Sequence, residues 1–446
     1  MNNIRYKNLI KLFIIQFSLI IIISGDLMSS SLPKYYTKTL ENGLKIVAIP
    51  MQNGTNVVST DIYYKVGSRN EVMGKSGMAH MLEHLNFKST KNLKAGEFDE
   101  IVKGFGGVNN ASTSFDYTHY FIKSSSKNMD KSLGLFSDLM QNLTLKDEEF
   151  QPERDVVAEE RRWRTDNNPM GYLQFRLFNN TYIYHPYHWT PIGFMQDIKN
   201  WTINDIKDFH STYYQPKNAI IIVAGDITKE EVFESSEKYF KAIKNSKDIP
   251  QTVHMAEPKQ DGAKRVSVKK DSQVQMLAIT YHIPNFEHKD QVALSALSEL
   301  LSSGKSSLLN KVLVDEKRMV NSIYAYNMEL KDPGVYILLA VCNPGVKAKD
   351  VEKEILKIIK QVKEGKIKQK ELDKIKINTK ADFIFSLESA SSVSSLYGSY
   401  FVRDNVEPLF NYEKNIEKLK LEDIVEVTNK YLNKQNSTTV ILTKEK

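Results

Sequence analysis

Two stretches of this 446-residue chain repeat one another at a fixed distance, and the repeat limits the fold more than any other feature. Asp205-Ile206, Tyr213-Tyr214 and Asn218 leading to Val223 are matched by Asp423-Ile424, Tyr431-Leu432 and Asn436 leading to Ile441, at a constant offset of 218 residues (205 to 423, 218 to 436). Each copy reads as a helix followed by a buried strand, so the chain is one domain used twice. The seam is the polar, proline-containing stretch from Ile243-Lys-Asn-Ser-Lys-Asp-Ile-Pro250 through Glu257-Pro258 to Gly262. It sets a first domain at 32–245, a linker at 246–262 and a second domain at 263–446.

Within each half, strands and helices follow one another without regular βαβ alternation. Tyr36 to Leu40 and Leu44 to Pro50 flank a Glu41-Asn42-Gly43 hairpin signal, and Asn56 to Val66 is a further strand. This favours α+β architecture: two sandwich domains, each an antiparallel-rich sheet with helices packed on one face.

Chemistry concentrates in His80-Met81-Leu82-Glu83-His84. On a helix spanning Met78 to Phe87, positions i, i+3 and i+4 share a face, so both imidazoles can address one ion with Glu83 beside them. Catalytic zinc needs this set: nitrogen ligands to hold it and a base for its water. The order is the inverted form of the zinc peptidase signature. A third protein ligand comes from the run Glu149 to Trp163, where Pro152 suits a first helical turn and Asp166-Asn-Asn-Pro169 marks a stop. Glu153 and Glu160 are seven positions apart and so lie within roughly 20° of each other, while Glu159 is turned about 100° away. Glu160 is therefore the expected ligand, and Glu153, two turns back, an acid that orients a ligating histidine; Glu83 and Glu153 make up the expected catalytic pair.

The H-x-x-E-H helix, with the glutamate of E-R-x-x-V-x-x-E 76 residues after His84 (84 to 160), resembles the pitrilysin (M16) family of zinc metallopeptidases. The layout is that of the bacterial single-chain, two-domain type, similar to mitochondrial processing peptidase subunits. Gly106-Gly107-Val-Asn-Asn110-Ala111-Ser112-Thr113 resembles that family's peptide-binding strand, and His185-Pro186-Tyr187 closing at Ile192-Gly193 resembles its H-P-Y loop. The resemblance runs from about Tyr36 to the C-terminus. It implies one Zn2+ per chain held by His80, His84 and Glu160, and two halves closing like a clamshell on a peptide. Glu83 would be the general base on zinc-bound water, and Asn110, Ala111, Ser112 and Thr113 would hold substrate as an added strand. A phosphate-cradling reading of Gly106-Gly107 fails, because G-x-G-x-x-G spacing and a P-loop lysine are both missing.

The second half carries no H-x-x-E-H; its helix Val292 to Ser302 offers Glu299 and serines. The family's R-x6-Y pair aligns with Asp315 and Ser322, so neither residue is present, and Arg318, Tyr324 or Tyr326 would have to substitute. This implies a dimer, as a heterodimer with a related subunit that supplies Arg and Tyr or as a homodimer. A non-enzymatic, zinc-retaining assembly subunit is the other reading; Glu83, neither a ligand nor a packing residue, favours the enzyme.

Arg5, Lys7 and Lys11 precede the apolar run Leu12 to Ser24, and Ser29-Ser30-Ser31 offers small residues for cleavage. Residues 1–31 therefore read as a secretory signal peptide, placing the mature chain in the periplasm or another exported compartment with no stable membrane span. An inner-membrane anchor formed by uncleaved signal is the alternative. The single cysteine, Cys342, permits no internal disulfide and reads as buried at the end of a strand Val335 to Val341. The net charge of +7 is spread along the chain, and Lys347 to Lys380 reads as a solvated amphipathic helix, which excludes a nucleic-acid site. His119, His210, His254, His282 and His288 read as packing or surface residues, and His185 and His188, in an aromatic-rich loop, as packing residues with contact to substrate as the alternative.

Overall fold

The computed structural model describes residues 31–250 and 255–444, so most of the expected signal peptide (1–31) and His254 lie outside the described residues. The first sheet comprises β1 (Tyr36–Thr39), β2 (Lys45–Pro50), β3 (Val57–Tyr64), β4 (Val108–Thr113), β5 (Thr118–Ser125) and β6 (Ala219–Gly225), ordered β1-β2-β6-β3-β5-β4. The second comprises β7 (Lys264–Lys270), β8 (Met276–His282), β9 (Val320–Met328), β10 (Val335–Cys342) and β11 (Ser437–Lys444), ordered β7-β11-β8-β10-β9. Set β1 aside and the two orders are the same, down to the sense of each pairing: β2 with β6 and β7 with β11 run parallel, and every other pair is antiparallel. The sequence repeat is thus a repeat of topology. β6, Ala-Ile-Ile-Ile-Val-Ala-Gly, is buried throughout, as a central strand covered on both faces requires.

In the first half, α1 (Met78–Leu85), α2 (Glu97–Gly104), α3 (Met129–Asn142) and α4 (Asp147–Arg161) precede α5 (Pro169–Thr181). Helix α4 starts earlier than its proline suggests: Pro152 is interior, not in the first turn. The carbonyl that Pro152 leaves without a donor belongs to Glu148, in the solvent-exposed first turn, so the missing bond costs little there. A π-helical turn, Arg162–Asp166, follows α4 directly. Asn168 then caps α5, its side chain accepting the N–H groups of Met170 and Gly171 with Pro169 in the first turn. The basic stretch after Lys347 is two helices, Ala348–Lys363 and Gln369–Phe385, rather than one. Gly365, at φ +68°, ends the first, its N–H bonding to the carbonyl of Val362. Cys342 is buried at the end of β10.

Each sheet has its own helices on one face, and each half also covers the other's second face. Leu173 and Leu177 of α5 pack on Val268, Ala278, Val440 and Leu442 of the second sheet. In return, Val393, Tyr397 and Phe401 of the helix Ala390–Phe401 pack on Val47, Ile49, Tyr63, Ile220 and Ile222 of the first. Gly398 permits this approach, since a Cβ there would lie 2.3 Å from Cζ of Tyr63. Polar contacts close the same seam around the turn between β9 and β10. Arg69 Nε donates to Asp332 Oδ2 at 2.9 Å, and His185, whose Nδ1 accepts the N–H of Tyr187, donates from Nε2 to the same oxygen at 3.0 Å. Tyr187 and the backbone N–H of Lys331 both bond to Asp116, and Glu257 accepts the N–H groups of Ile183, Tyr184 and His185.

Burial alone would raise the Asp332 carboxyl, but His185 and Arg69 hold it down to about 2. A depressed carboxylate contributes stability above its unfolded value and loses it as pH falls through the folded one. Replacing Asp332 by asparagine should therefore lower stability at pH 7 by on the order of 1–2 kcal/mol, allowing for partial exposure. The gap between variant and parent should narrow from about pH 4 toward pH 2; urea midpoints measured across that window check it.

Candidate metal centre

Helix α1 is aimed by its N-terminus. Gly77 sits at φ +88°, and a Cβ on it would lie 2.7 Å from the Ile192 carbonyl oxygen and 2.8 Å from the Trp201 ring, so glycine is required there twice over. Glu71, fully buried, accepts the N–H groups of Gly77 and Ala79, each at 2.8 Å, and the indole N–H of Trp189 at 2.8 Å. Burial pushes its carboxyl up to about 8. All three contacts need oxygen acceptors, and the helix N-terminus adds partial positive charge, so the ionised form is the one that fits. Glu71→Gln would turn an N–H toward these donors and should destabilise the protein by about 1–3 kcal/mol, read from a denaturation midpoint.

With α1 so fixed, Met78, Ala79, Met81, Leu82 and Leu85 are buried in the core, and His80, Glu83 and His84 share the opposite face. Glu160 comes from α4, which crosses this face. Its Oε2 lies 3.7 Å from His80 Nε2 and 3.3 Å from His84 Nε2. One donor atom from each of His80, His84 and Glu160 lies within 4.8 Å of the other two. Glu153, two turns back on α4, accepts from His84 Nδ1 at 2.7 Å and pairs through its other oxygen with Lys88 Nζ at 2.6 Å. That bond keeps the hydrogen of His84 on Nδ1 and leaves Nε2 facing the centre.

Burial opposes charge on His84, but hydrogen bonds to Glu153 and Glu160 carry it up to about 9. Burial and the neighbouring His84 push His80 down to about 4. His80 Nδ1 is buried without a hydrogen-bond partner. Two imidazole nitrogens and a carboxylate oxygen converge here, and a metal cation would take the place of the extra proton that the two carboxylates draw onto His84. The donor set of two nitrogens and one carboxylate oxygen fits zinc.

Glu83 is raised by burial, against the Thr113 hydroxyl that donates to its Oε2 at 2.6 Å. Thr113 ends β4, the outermost strand of its sheet among the described residues, so Asn110, Ala111, Ser112 and Thr113 form an edge strand leading to the Glu83 carboxyl. Ala111 donates its N–H to the Asn110 side chain at 2.9 Å. Three further residues adjoin the centre without having been singled out in the sequence: Lys88, Glu71 and Arg164. Lys88 lies four positions after His84 and Arg164 four after Glu160, spacings that helical geometry makes adjacent. Glu71 sits in a loop and carries no such signal.

Residues 46–189 match the model of the insulinase family, peptidase family M16, and residues 200–379 match that of the M16 inactive domain. A zinc protease, PqqE, of Helicobacter pylori is 58% identical over 93% of this chain and 94% of its own length. The chain belongs to peptidase family M16. A crystal structure of a Helicobacter pylori protease superimposes with a TM-score of 0.91 at 57% identity, covering 92% of this chain and 100% of that one. The beta subunit of the bovine mitochondrial-processing peptidase is 24% identical, over 90% of this chain and 83% of the relative. M16 membership accounts for the asymmetry of the halves: the helix Gln291–Ser302 occupies the place of α1, between second-half strands β8 and β9, and has no histidine. His185 and His188 serve packing: His185 is buried against Asp332 and Tyr187, and His188 Nδ1 bonds to the Tyr182 carbonyl. No helix among the described residues is long and apolar enough to cross a membrane.

Proposed function

We propose that this chain is an exported zinc-dependent endopeptidase that hydrolyses peptides or unfolded segments. The observation that carries the reading is the convergence of His80 Nε2, His84 Nε2 and Glu160 Oε2 beside the Glu83 carboxyl at the end of an edge strand. Zinc, held by His80, His84 and Glu160, would supply a Lewis acid and a water made acidic enough to lose its proton near neutral pH. Glu83, half-buried and raised, takes a proton and returns it to the departing amine. Thr113 orients Glu83, and Glu153 orients His84. Peptide adds along Asn110 to Thr113 through backbone hydrogen bonds, which bind extended chains with little demand on sequence.

Domains of 32–245 and 263–446 around a linker at 246–262 suit this division of labour, with chemistry in the first half. The relative named as a subunit supports a second, related chain in the working assembly. The N-terminal basic and apolar pattern supports export to the periplasm. Incubating purified mature chain with a quenched mixed-peptide pool, with products identified by mass spectrometry, tests the reading. Internal cleavage is expected, from this chain alone or mixed with a related M16 chain; removal of terminal residues only, or intact peptides at full zinc loading in both, overturns it.

A further inference from the structure

Glu160 divides its carboxylate. Oε2 faces the two histidine nitrogens, while Oε1 forms an ion pair with Arg164 Nε at 2.9 Å. Arg164 stands on the π-helical turn Arg162–Asp166, a conformation found mostly as single turns at functional sites. Its backbone there is held closely: a Cβ on Gly171 would lie 1.9 Å from the Arg164 carbonyl oxygen, so α5 seats the turn only because residue 171 is glycine. The side chain is 64% exposed, and neither Nη nitrogen has a hydrogen-bond partner among the described residues.

Peptide hydrolysis creates the demand that such a cation meets. Attack of water oxygen on the carbonyl carbon forms a C–O bond, moves the carbonyl π pair onto oxygen and passes a proton to Glu83. Collapse then breaks the C–N bond, and the amine leaves with that proton. Between the two steps the former carbonyl oxygen is negative, in a site already crowded by Glu83, Glu153 and Glu160. Of the two cations at the centre, Lys88 is committed to Glu153. No hydrogen bond or ion pair joins the described residues of the second half to His80, Glu83, His84 or Glu160. The position aligned for an arginine there is Asp315.

We propose that Arg164, anchored to Glu160 through Nε, presents its free Nη groups to the oxyanion of the tetrahedral intermediate, supplying from the ligand helix the charge that the second half lacks. The inference rests on the peptidase reading above and adds a catalytic residue to it. Its guanidinium suits the task, with one edge to position a ligand and another to bind oxygen.

The test compares the full chain with R164M and R164K at equal zinc content. The probes are the peptide the parent cleaves best from the pool and its phosphinic analogue, a tetrahedral mimic. For R164M, kcat and phosphinate affinity are each expected to fall about 100-fold, KM to stay within about threefold, and R164K to recover part of the loss. A rise in KM matching the loss of phosphinate affinity, loss of zinc, or no change at all would each overturn the assignment. A parent protein that neither cleaves nor binds the phosphinate removes the peptidase reading itself. A parent that cleaves beside an unaffected R164M removes only the role of Arg164.

Discussion

Glu83→Gln is expected to lower kcat by about 10²–10⁴ while zinc content and peptide affinity hold. The substitution keeps the shape of the side chain and the acceptor for Thr113, yet it removes the one group beside the histidines that can both take and return a proton. Glu83 lies outside the cluster of His80, His84 and Glu160, so metal retention separates loss of the base from loss of the site. Steady-state kinetics with zinc quantified on the same samples reads the result. A tenfold or smaller loss, or a loss tracking zinc, would reassign the base.

The second large effect is on the metal. His84→Ala removes a donor atom and strands Glu153, whose carboxylate then faces only Lys88. Zinc should be lost at micromolar free metal, and with it all turnover. The parent's melting temperature should rise as free zinc is added, because a ligand that binds only the native state stabilises it by mass action, about 2.7 kcal/mol at 100 times Kd. The variant's melting temperature should not respond at the same concentrations. A His84→Ala protein that keeps stoichiometric zinc would place the metal elsewhere.

Helical arithmetic made much of the centre legible in the sequence. His80, Glu83 and His84 share a face because 3 and 4 residues are one turn, and Glu153 and Glu160 share theirs because 7 are two. The 218-residue offset between Asn218 and Asn436 foretold two sheets of one topology, since the residues opening β6 and β11 lie at the same point of each copy. What could not be read there depends on contacts distant in sequence. Glu71 gains its role from a helix start and an indole 118 residues away. That α5 and the helix Ala390–Phe401 each cover the other half's sheet follows from shape complementarity, such as Gly398 against Tyr63, which no local pattern carries. Arg164 was hidden among the Glu–Arg pairs of a charged helix, and the π turn that displays it is set by packing against Gly171. Pro152 misled in the other direction: a favoured first-turn residue stands inside α4, tolerated because the carbonyl it frees is near the exposed end.

The central claim is that peptide hydrolysis depends on a metal held at one site of the first half. It is tested most directly by following zinc content and turnover together on one sample of the purified chain, through stepwise chelation and then zinc re-addition. The account predicts that turnover falls in proportion to the zinc removed, reaches zero when none remains, and returns with about one zinc per chain. Turnover that survives complete removal of zinc would contradict it, as would a fully loaded chain that cleaves no peptide even with a related M16 chain present.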